Sequence, residues 1–229
     1  MERVIAHRGF SSLYPENTLK AFEEAIKCGC RTIEFDVHLS SDNIPVVIHD
    51  EKVNRVTNGS GYVKDLSVKA LKELSVFETG KIPTLHETLL FLKGRAKPII
   101  ELKGPSTNQH LEKNVLESIK KAGMMKEAQI ISFDLEKIDF VRELCSDVQL
   151  GYIQRRPTHA IFSRMKRNQI GTLTINYRFF TNRFAKRCAQ EGVRLVVYHL
   201  TKTRQIKRCL RYEHVSVTIK ALDKGAAFV

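Results

Sequence analysis

The amino-acid sequence predicts an α/β protein, built as a single (β/α)8 TIM barrel that carries a small insertion after its second strand. Short runs rich in β-forming residues alternate with helix-period segments, an alternation typical of parallel strands joined by crossover helices. Eight such runs can be counted, which is the number that closes this barrel. The 229 residues match the length of one such domain. A doubly wound open sheet shares the same alternation and remains the alternative fold.

The predicted elements follow one another in regular order. Strands are expected near Val4–His7, Thr32–His38, Pro98–Lys103, Gln129–Phe133, Val148–Tyr152, Thr172–Asn176, Arg194–His199 and His214–Ile219. Apolar residues at three- and four-residue spacings predict helices in Thr18–Cys28, Leu111–Ala122, Leu135–Cys145, Asn182–Glu191 and Lys202–Leu210. An extra extended run, Pro45–His49, leads into the polar, glycine-containing stretch Asn54–Thr84. Residues 50–84 or thereabouts are therefore predicted to be an insertion within one domain that spans residues 1–229.

Composition places the chain among globular proteins, with 42% hydrophobic and 28% charged residues. The N-terminus lacks the features of a signal peptide, and no apolar run reaches the roughly 20 residues that a membrane-spanning helix needs. Five scattered cysteines without a CxxC pair argue against a disulfide framework and a structural zinc site. We therefore expect a soluble, cytoplasmic protein with free thiols.

Positive charge is concentrated in the C-terminal part of the chain. The net charge is +13, and residues 151–229 hold 17 Lys/Arg against 3 Asp/Glu. This asymmetry suggests a polyanionic partner, either an anionic membrane surface in peripheral contact or, less well supported, nucleic acid. Solvated basic helix faces are the commoner explanation, and no nucleic-acid-binding motif accompanies the charge.

The first candidate site residues stand at the end of the first predicted strand. His7 could transfer protons near neutral pH, and the Arg8 guanidinium could grip a phosphate with paired hydrogen bonds. Strand C-termini are where barrel enzymes place their active sites. A second histidine, His49, ends the Pro45–His49 run, so two histidines could act as acid and base in succession. The alternative for His7 alone is a histidine that merely ends a strand.

Acidic residues two positions apart mark two further strands. Glu34 and Asp36 project from one strand face, where burying two carboxylates is tolerable mainly beside a cation such as Mg²⁺ or Ca²⁺. Glu101 supplies a third oxygen ligand on another strand, and Lys103 could balance phosphate charge. The alternatives are a solvent-exposed or salt-bridged face for the first pair, and a plain same-face ion pair for Glu101 and Lys103.

Together the segments HRG, PENT, ExDVHLSSDNxPVVIHD and ExK resemble the glycerophosphodiester phosphodiesterase family. The resemblance implies a (β/α)8 barrel that hydrolyses a glycerophosphodiester to glycerol 3-phosphate and an alcohol. It also implies a divalent metal, Mg²⁺ or Ca²⁺, on the three carboxylates, with His7 and His49 as the acid/base pair and Arg8 and Lys103 on the phosphate. Glu16 and Asn17 would support the site, with Asn17 capping the following helix. Attack by water and attack by a substrate hydroxyl through a cyclic phosphate both remain open.

The resemblance weakens towards the C-terminus. The family usually has a Trp-Thr pair on strand seven and a glycine-rich strand eight that ends in Thr-Asp-x-Pro, whereas this chain has no tryptophan and places Lys220 after Val217-Thr218-Ile219. The alcohol half of the substrate therefore stays undetermined. Two alternative functions are phospholipase D-like or C-like cleavage of lysophospholipids or phosphoinositides at a membrane, and a non-catalytic polyanion-binding barrel.

Overall fold

Eight parallel strands form a closed barrel in the computed structural model, which describes residues 3–104, 110–198 and 200–222. The ring runs in the order β1, β2, β4, β5, β6, β7, β8, β9 and returns to β1. The strands are β1 Val4–His7, β2 Thr32–Leu39, β4 Lys97–Leu102, β5 Gln129–Ser132, β6 Gln149–Gln154, β7 Thr172–Asn176, β8 Arg194–Tyr198 and β9 Val215–Ile219. Closure confirms the predicted barrel and excludes the open sheet. The predicted strand end at His199 lies outside the described residues.

Helices follow the strands and cover the outside of the barrel. They are α1 Leu19–Lys27, α3 Leu85–Leu92, α4 His110–Ala122, α5 Leu135–Leu144, α6 Ala160–Arg167, α7 Asn182–Gln190 and α8 Thr203–Leu210. Side-chain caps begin several of them; Thr84, for example, forms a reciprocal capping box with Glu87. Helix α6 is not among the predicted helices, because it is short, strongly basic and has no side-chain cap at its first turn.

Alternation along each strand divides the side chains between two cores. Outward-facing residues such as Ile33, Phe35 and Val37 join the main core under the helices. Inward-facing residues fill the centre of the barrel with a second cluster, composed of Ile5, Ile99, Ile131, Ile153 and Val196. The same alternation turns the residues two positions beyond Ile5 and Ile99, namely His7 and Glu101, towards the barrel axis at its carboxyl-terminal mouth.

The insertion after β2 begins with β3 Pro45–Val47, which pairs antiparallel with the end of β2, and contains α2 Val68–Glu73. The sequence predicts a polar segment, but the insertion is not wholly polar, because it has a hydrophobic core of its own. That core comprises Val46, Ile48, Val53, Val56, Val63, Leu71, Val76 and Ile82. These apolar residues follow neither a helical nor a strand period, which is why sequence periodicity does not reveal them.

No helix in the described part of the chain is long and apolar enough to cross a membrane.

Candidate active site

A tight turn after β1 brings His7 and Arg8 to the barrel mouth. Arg8 and Gly9 both have left-handed backbones, with φ of 56° and 78°. A Cβ on Gly9 would lie 2.7 Å from the Ala21 backbone, so only glycine lets the turn pack against α1. The turn directs the Arg8 amide to the Glu34 carbonyl oxygen at 2.8 Å and leaves His7 Nε2 3.9 Å from Glu34 Oε2.

Three carboxylates converge beside this turn. Strand register pairs Asp36 with Glu101 across β2 and β4, and Glu34 lies on the same face of β2 as Asp36. Oxygen atoms of all three groups lie within 4.8 Å of one another, and all three residues are buried. Ligands of one Mg²⁺ or Ca²⁺ lie about 2.0–2.6 Å from the ion, so they can be at most about 5.2 Å apart. The three oxygens satisfy that limit, so the residues fit a hard divalent cation.

Burial and mutual repulsion work against full ionisation of this cluster. Burial first, and then the charges of Asp36 and Glu101, raise the pKa of Glu34 well above its usual range. Burial and Asp36 likewise raise the pKa of Glu101 to about 7. Burial also acts to raise the pKa of Asp36, but Lys103 and Arg8 outweigh it, so this pKa lies well below its usual range. The two basic residues therefore do not neutralise all three carboxylates, which is consistent with a site that accepts a cation.

Asp36 is the most enclosed of the three carboxylates and has three polar partners. Arg8 Nε lies 3.1 Å from Oδ2, Asn17 Nδ2 donates to Oδ2 at 3.0 Å, and Lys103 Nζ lies 3.1 Å from Oδ1. Lys103 also contacts the Glu101 carboxylate, so the same-face ion pair considered for these two residues is present within the acidic cluster. The prediction that Asn17 caps α1 is wrong: Thr18 accepts the hydrogen bond from the Ala21 amide.

The second histidine is held by a chain of charged groups. His49 Nδ1 donates to Asp50 Oδ1 at 2.5 Å, since a carboxylate can only accept. Asp50 binds Arg55 Nε at 2.5 Å through Oδ2, and Arg55 Nη2 reaches Glu16 Oε1 at 2.7 Å. Glu16 also accepts from Arg8 Nη1 at 2.9 Å. Arg55 therefore links the loop of β1 to the loop of His49, a role that sequence reasoning missed because no spacing or motif marks this residue.

His38 adds a further support to the same loop. It shares the inward face of β2 with Asp36 and donates from Nε2 to the His49 carbonyl oxygen at 3.0 Å. Burial lowers the pKa of both His38 and His49, partly opposed in His49 by the negative charge of Asp36. Both rings are therefore mainly neutral at physiological pH, which leaves His49 Nε2 as the nitrogen available for proton exchange.

A cavity of about 890 Å³ opens at the barrel mouth above these groups. His7, Arg8, Glu34, His49, Glu101 and Lys103 line it, so the structure brings the predicted acid/base, phosphate and metal candidates to one place. Asp36 and Asn17 lie behind them. The aromatic side chains of Phe133 and Tyr198 also line the cavity, whereas Tyr152 is fully buried and bonds Asp139.

The chain is similar to known phosphodiesterases in sequence and in fold. The model of the glycerophosphoryl diester phosphodiesterase family matches residues 7–224. A glycerophosphodiester phosphodiesterase of Caldanaerobacter subterraneus subsp. tengcongensis is 30% identical over 91% of this chain and 89% of its own length. A glycerophosphodiester phosphodiesterase structure from Thermotoga maritima superposes with a TM-score of 0.85 at 26% identity, covering 100% of this chain and 99% of that one. An Oleispira antarctica phosphodiesterase in complex with the product sn-glycerol-3-phosphate reaches 0.92 at 23% identity, covering 100% and 97%, a likeness of fold.

Proposed function

Because this chain belongs to the glycerophosphoryl diester phosphodiesterase family, and is therefore a phosphoric diester hydrolase, we propose that it cleaves glycerophosphodiesters to glycerol 3-phosphate and an alcohol. The observation that carries the proposal is the convergence of three buried carboxylates, two of which, Glu34 and Glu101, line one cavity with both histidines. The product named for the Oleispira antarctica phosphodiesterase, sn-glycerol-3-phosphate, supports the same chemistry.

Glu34, Asp36 and Glu101 would hold a divalent cation, Mg²⁺ or Ca²⁺, through their converging oxygens. When bound, the cation offsets the carboxylate charges and withdraws charge from the phosphate oxygens. Arg8 and Lys103 would bind the phosphate group of the substrate, since both line the cavity. Both also lie beside Asp36. Their charges are positioned before substrate arrives, so little reorganisation accompanies the reaction.

His7 and His49 form the acid/base pair of the proposed mechanism. Asp50 holds His49 through Nδ1, so that Nε2 exchanges the proton, and the neutral ring suits removal of a proton from the nucleophile. His7 stands on the adjacent strand next to Glu34, where it can donate to the departing alkoxide or take the complementary role. The end of β1 holds His7 and the bond to Asp50 holds the His49 ring, which shortens the search for reactive geometry.

The test is release of glycerol 3-phosphate from a panel of glycerophosphodiesters by purified protein, with Mg²⁺, Ca²⁺ or a chelator. We expect metal-dependent release that Glu34→Gln abolishes. The matched control is Glu73→Gln, which changes an exposed glutamate on α2. Turnover in excess chelator, or full turnover by Glu34→Gln, would refute the metal role, and absence of release from every diester would refute the proposed substrate class.

Peripheral contact with an anionic membrane is a second part of the proposal. Exposed basic residues of α6, α7 and α8, with Arg211 directly after α8, form a surface that we name the basic wall: Lys166, Arg167, Arg183, Lys186, Arg187, Arg204, Lys207, Arg208 and Arg211. Its helices are contiguous, because Arg187 lies over Phe162 of α6 and Arg208 reaches Asn182 of α7. Such a surface binds anionic headgroups with an affinity that salt weakens. The five free cysteines, three of them buried, support a cytoplasmic location, where thiols stay reduced.

A further inference from the structure

The side of the barrel mouth opposite the carboxylates carries unpaired positive charge. In the ring of eight strands, β6 stands opposite β1 and β7 opposite β2. Arg155 follows the last residue of β6 directly, and Arg178 lies two residues beyond β7. Both line the same cavity as the carboxylates, and neither has a carboxylate within 4 Å among the described residues. The acidic rim residues Asp50 and Glu51 follow His49, on the other side of the mouth.

Two aromatic rings line the cavity together with the carboxylates and the basic side. Phe133 and Tyr198 meet edge to face with 6.2 Å between ring centres, and the Arg155 guanidinium lies 5.7 Å from the Phe133 ring centre. Burial raises the pKa of the Tyr198 phenol, while the charge of Arg155 acts to lower this pKa and the charge of Glu101 acts to raise it. The Tyr198 ring therefore lies within electrostatic reach of both groups. These rings therefore offer a path towards Arg155 for the other half of a substrate whose phosphodiester is at the carboxylates.

The floor of the cavity carries no charged side chain among the described residues. Below the mouth, the strands contribute uncharged lining only: the polar Gln129, Thr174 and Thr218 and the apolar cluster Ile5, Ile99, Ile131, Ile153 and Val196. A charged group finds no charged partner on such a floor, so a charged alcohol half stays at the rim. On the β6–β7 side, Asn176 lines the cavity too, and its Oδ1 accepts from the Arg178 amide at 2.9 Å. This bond fixes the loop that carries Arg178.

We propose that Arg155 and Arg178 form a subsite for a second anionic group on the substrate, so that the preferred diesters carry a phosphate monoester on the alcohol half. The inference rests on the proposed function, because it places the scissile phosphodiester at Glu34, Asp36 and Glu101. Guanidinium groups bind phosphate through paired, charge-assisted hydrogen bonds. A quaternary ammonium alcohol such as choline would meet like charge at the same place.

A matched pair of substrates tests the subsite: glycerophosphoglycerol, and the same diester with a phosphate on its terminal hydroxyl. Loss of diester is followed by phosphorus NMR at low ionic strength, with glycerophosphocholine as the cationic comparison. We expect kcat/KM to be highest for the phosphorylated diester and lowest for glycerophosphocholine. The double variant Arg155→Ala/Arg178→Ala should reduce the ratio of kcat/KM between the matched diesters at least about tenfold, as expected for lost charged hydrogen bonds.

Arg156→Ala is the matched control, because Arg156 is exposed and adjacent but does not line the cavity. It should leave the ratio unchanged. The subsite is refuted if glycerophosphocholine is preferred, or if the double variant keeps the wild-type ratio. Failure of the proposed function is distinguishable, since no diester would then be cleaved. In that case calorimetric binding of the phosphorylated diester decides the matter: binding equal in wild type and double variant overturns the subsite, and weaker binding in the double variant supports it.

Discussion

Asn17 and Asp36 are joined by a hydrogen bond that neither helix capping nor strand pairing requires, with Asn17 Nδ2 3.0 Å from Asp36 Oδ2. The asparagine is buried and has a left-handed backbone with φ of 59°. In return, the Asp36 amide donates to Asn17 Oδ1 at 3.4 Å. The side chain thus fixes one proposed metal ligand from the loop that precedes α1.

The first prediction follows from this bond. Replacing Asn17 by Gly removes the amide but keeps the backbone conformation accessible, and we expect Mg²⁺ or Ca²⁺ affinity to fall about 10–100-fold, as for lost outer-shell partners of metal ligands. Asn17→Ala should reduce the metal affinity as much. It should also lower the urea midpoint of unfolding, since alanine is strained at positive φ. Calorimetric titration with each metal measures the effect.

Asn43→Gly provides the control for that experiment. Asn43 has almost the same backbone conformation, with φ of 60°, but lies in the turn between β2 and β3. It should bind metal like the wild type. Unchanged affinity in Asn17→Gly would show that Asp36 does not depend on this amide.

The second prediction concerns pH. The pKa of Glu101 is about 7 in the metal-free protein, against a usual 4.5, so the folded state retains a proton that the unfolded chain releases. The stability that Glu101 contributes to the metal-free protein should therefore fall as pH rises from 4.5 to about 7. A bound cation favours the ionised carboxylates, so stabilisation by metal should grow across the same window.

Thermal unfolding measures this linkage directly. The rise in Tm on adding saturating Mg²⁺ or Ca²⁺ should be larger at about pH 8 than at about pH 5. Glu101→Gln cannot ionise at this position, so it should lose the part of the pH dependence that Glu101 contributes, while Glu34, whose pKa is also raised, keeps its own part. An equal rise at both pH values in the wild type would contradict the linkage.

How far the sequence determines these features differs between strands and loops. The same-face placement of Glu34 and Asp36 follows from strand period alone, and so does the inward direction of Glu101. Their mutual approach depends on the register between parallel strands. The alternation of strands and helices predicts that the strands are parallel, but it does not give the register. The roles of Arg55 and Asn17 depend on loop conformations and long-range contacts, and no local period encodes those.

The core of the insertion and helix α6 are also not predicted from sequence periodicity, because both depend on tertiary packing. Apolar residues of the insertion meet in three dimensions although their spacing is irregular, so Val53 and Ile82 share a core without sharing a pattern. Helix α6 buries only Ile161, Phe162 and Met165. Tertiary contact, rather than propensity, stabilises both segments.

The third prediction tests the acid/base assignment. His49→Ala should lower kcat by about 10²–10⁴, the usual contribution of a positioned acid or base. Asp50→Asn should lower it less and move the acid limb of the kcat/KM profile to lower pH, because Asp50 acts to raise the pKa of His49. Asp65→Asn, an exposed aspartate of the same insertion, should leave the profile in place. If Asp50→Asn leaves the acid limb in place, His49 is not the group whose titration produces that limb.

The fourth prediction concerns the basic wall. The protein should float with vesicles rich in anionic lipid at about 0.1 M salt and dissociate at about 0.5 M, because exposed charges are screened. Lys186→Glu/Lys207→Glu should weaken binding at least about tenfold, at about 1 kcal/mol per basic residue near the surface. Lys113→Glu/Lys120→Glu makes the same change of charge on α4 and should retain binding. An equal loss of vesicle binding in both double variants would show that net charge, rather than the basic wall, determines the binding.

The fifth prediction concerns stability away from the active site. Lys137 Nζ lies 2.9 Å from Glu112 Oε1 between α4 and α5, and both side chains are 2% exposed. Glu112→Leu leaves a buried ammonium without its partner, so the free energy of unfolding should fall by about 3–5 kcal/mol. Glu112→Leu/Lys137→Met removes both charges and should recover most of that loss. Glu117→Leu breaks an exposed ion pair of the same helix, with Lys121, and should leave the urea midpoint nearly unchanged. Recovery by the double variant separates the cost of an unpaired charge from the cost of altered packing, since packing loss alone would make the two substitutions add.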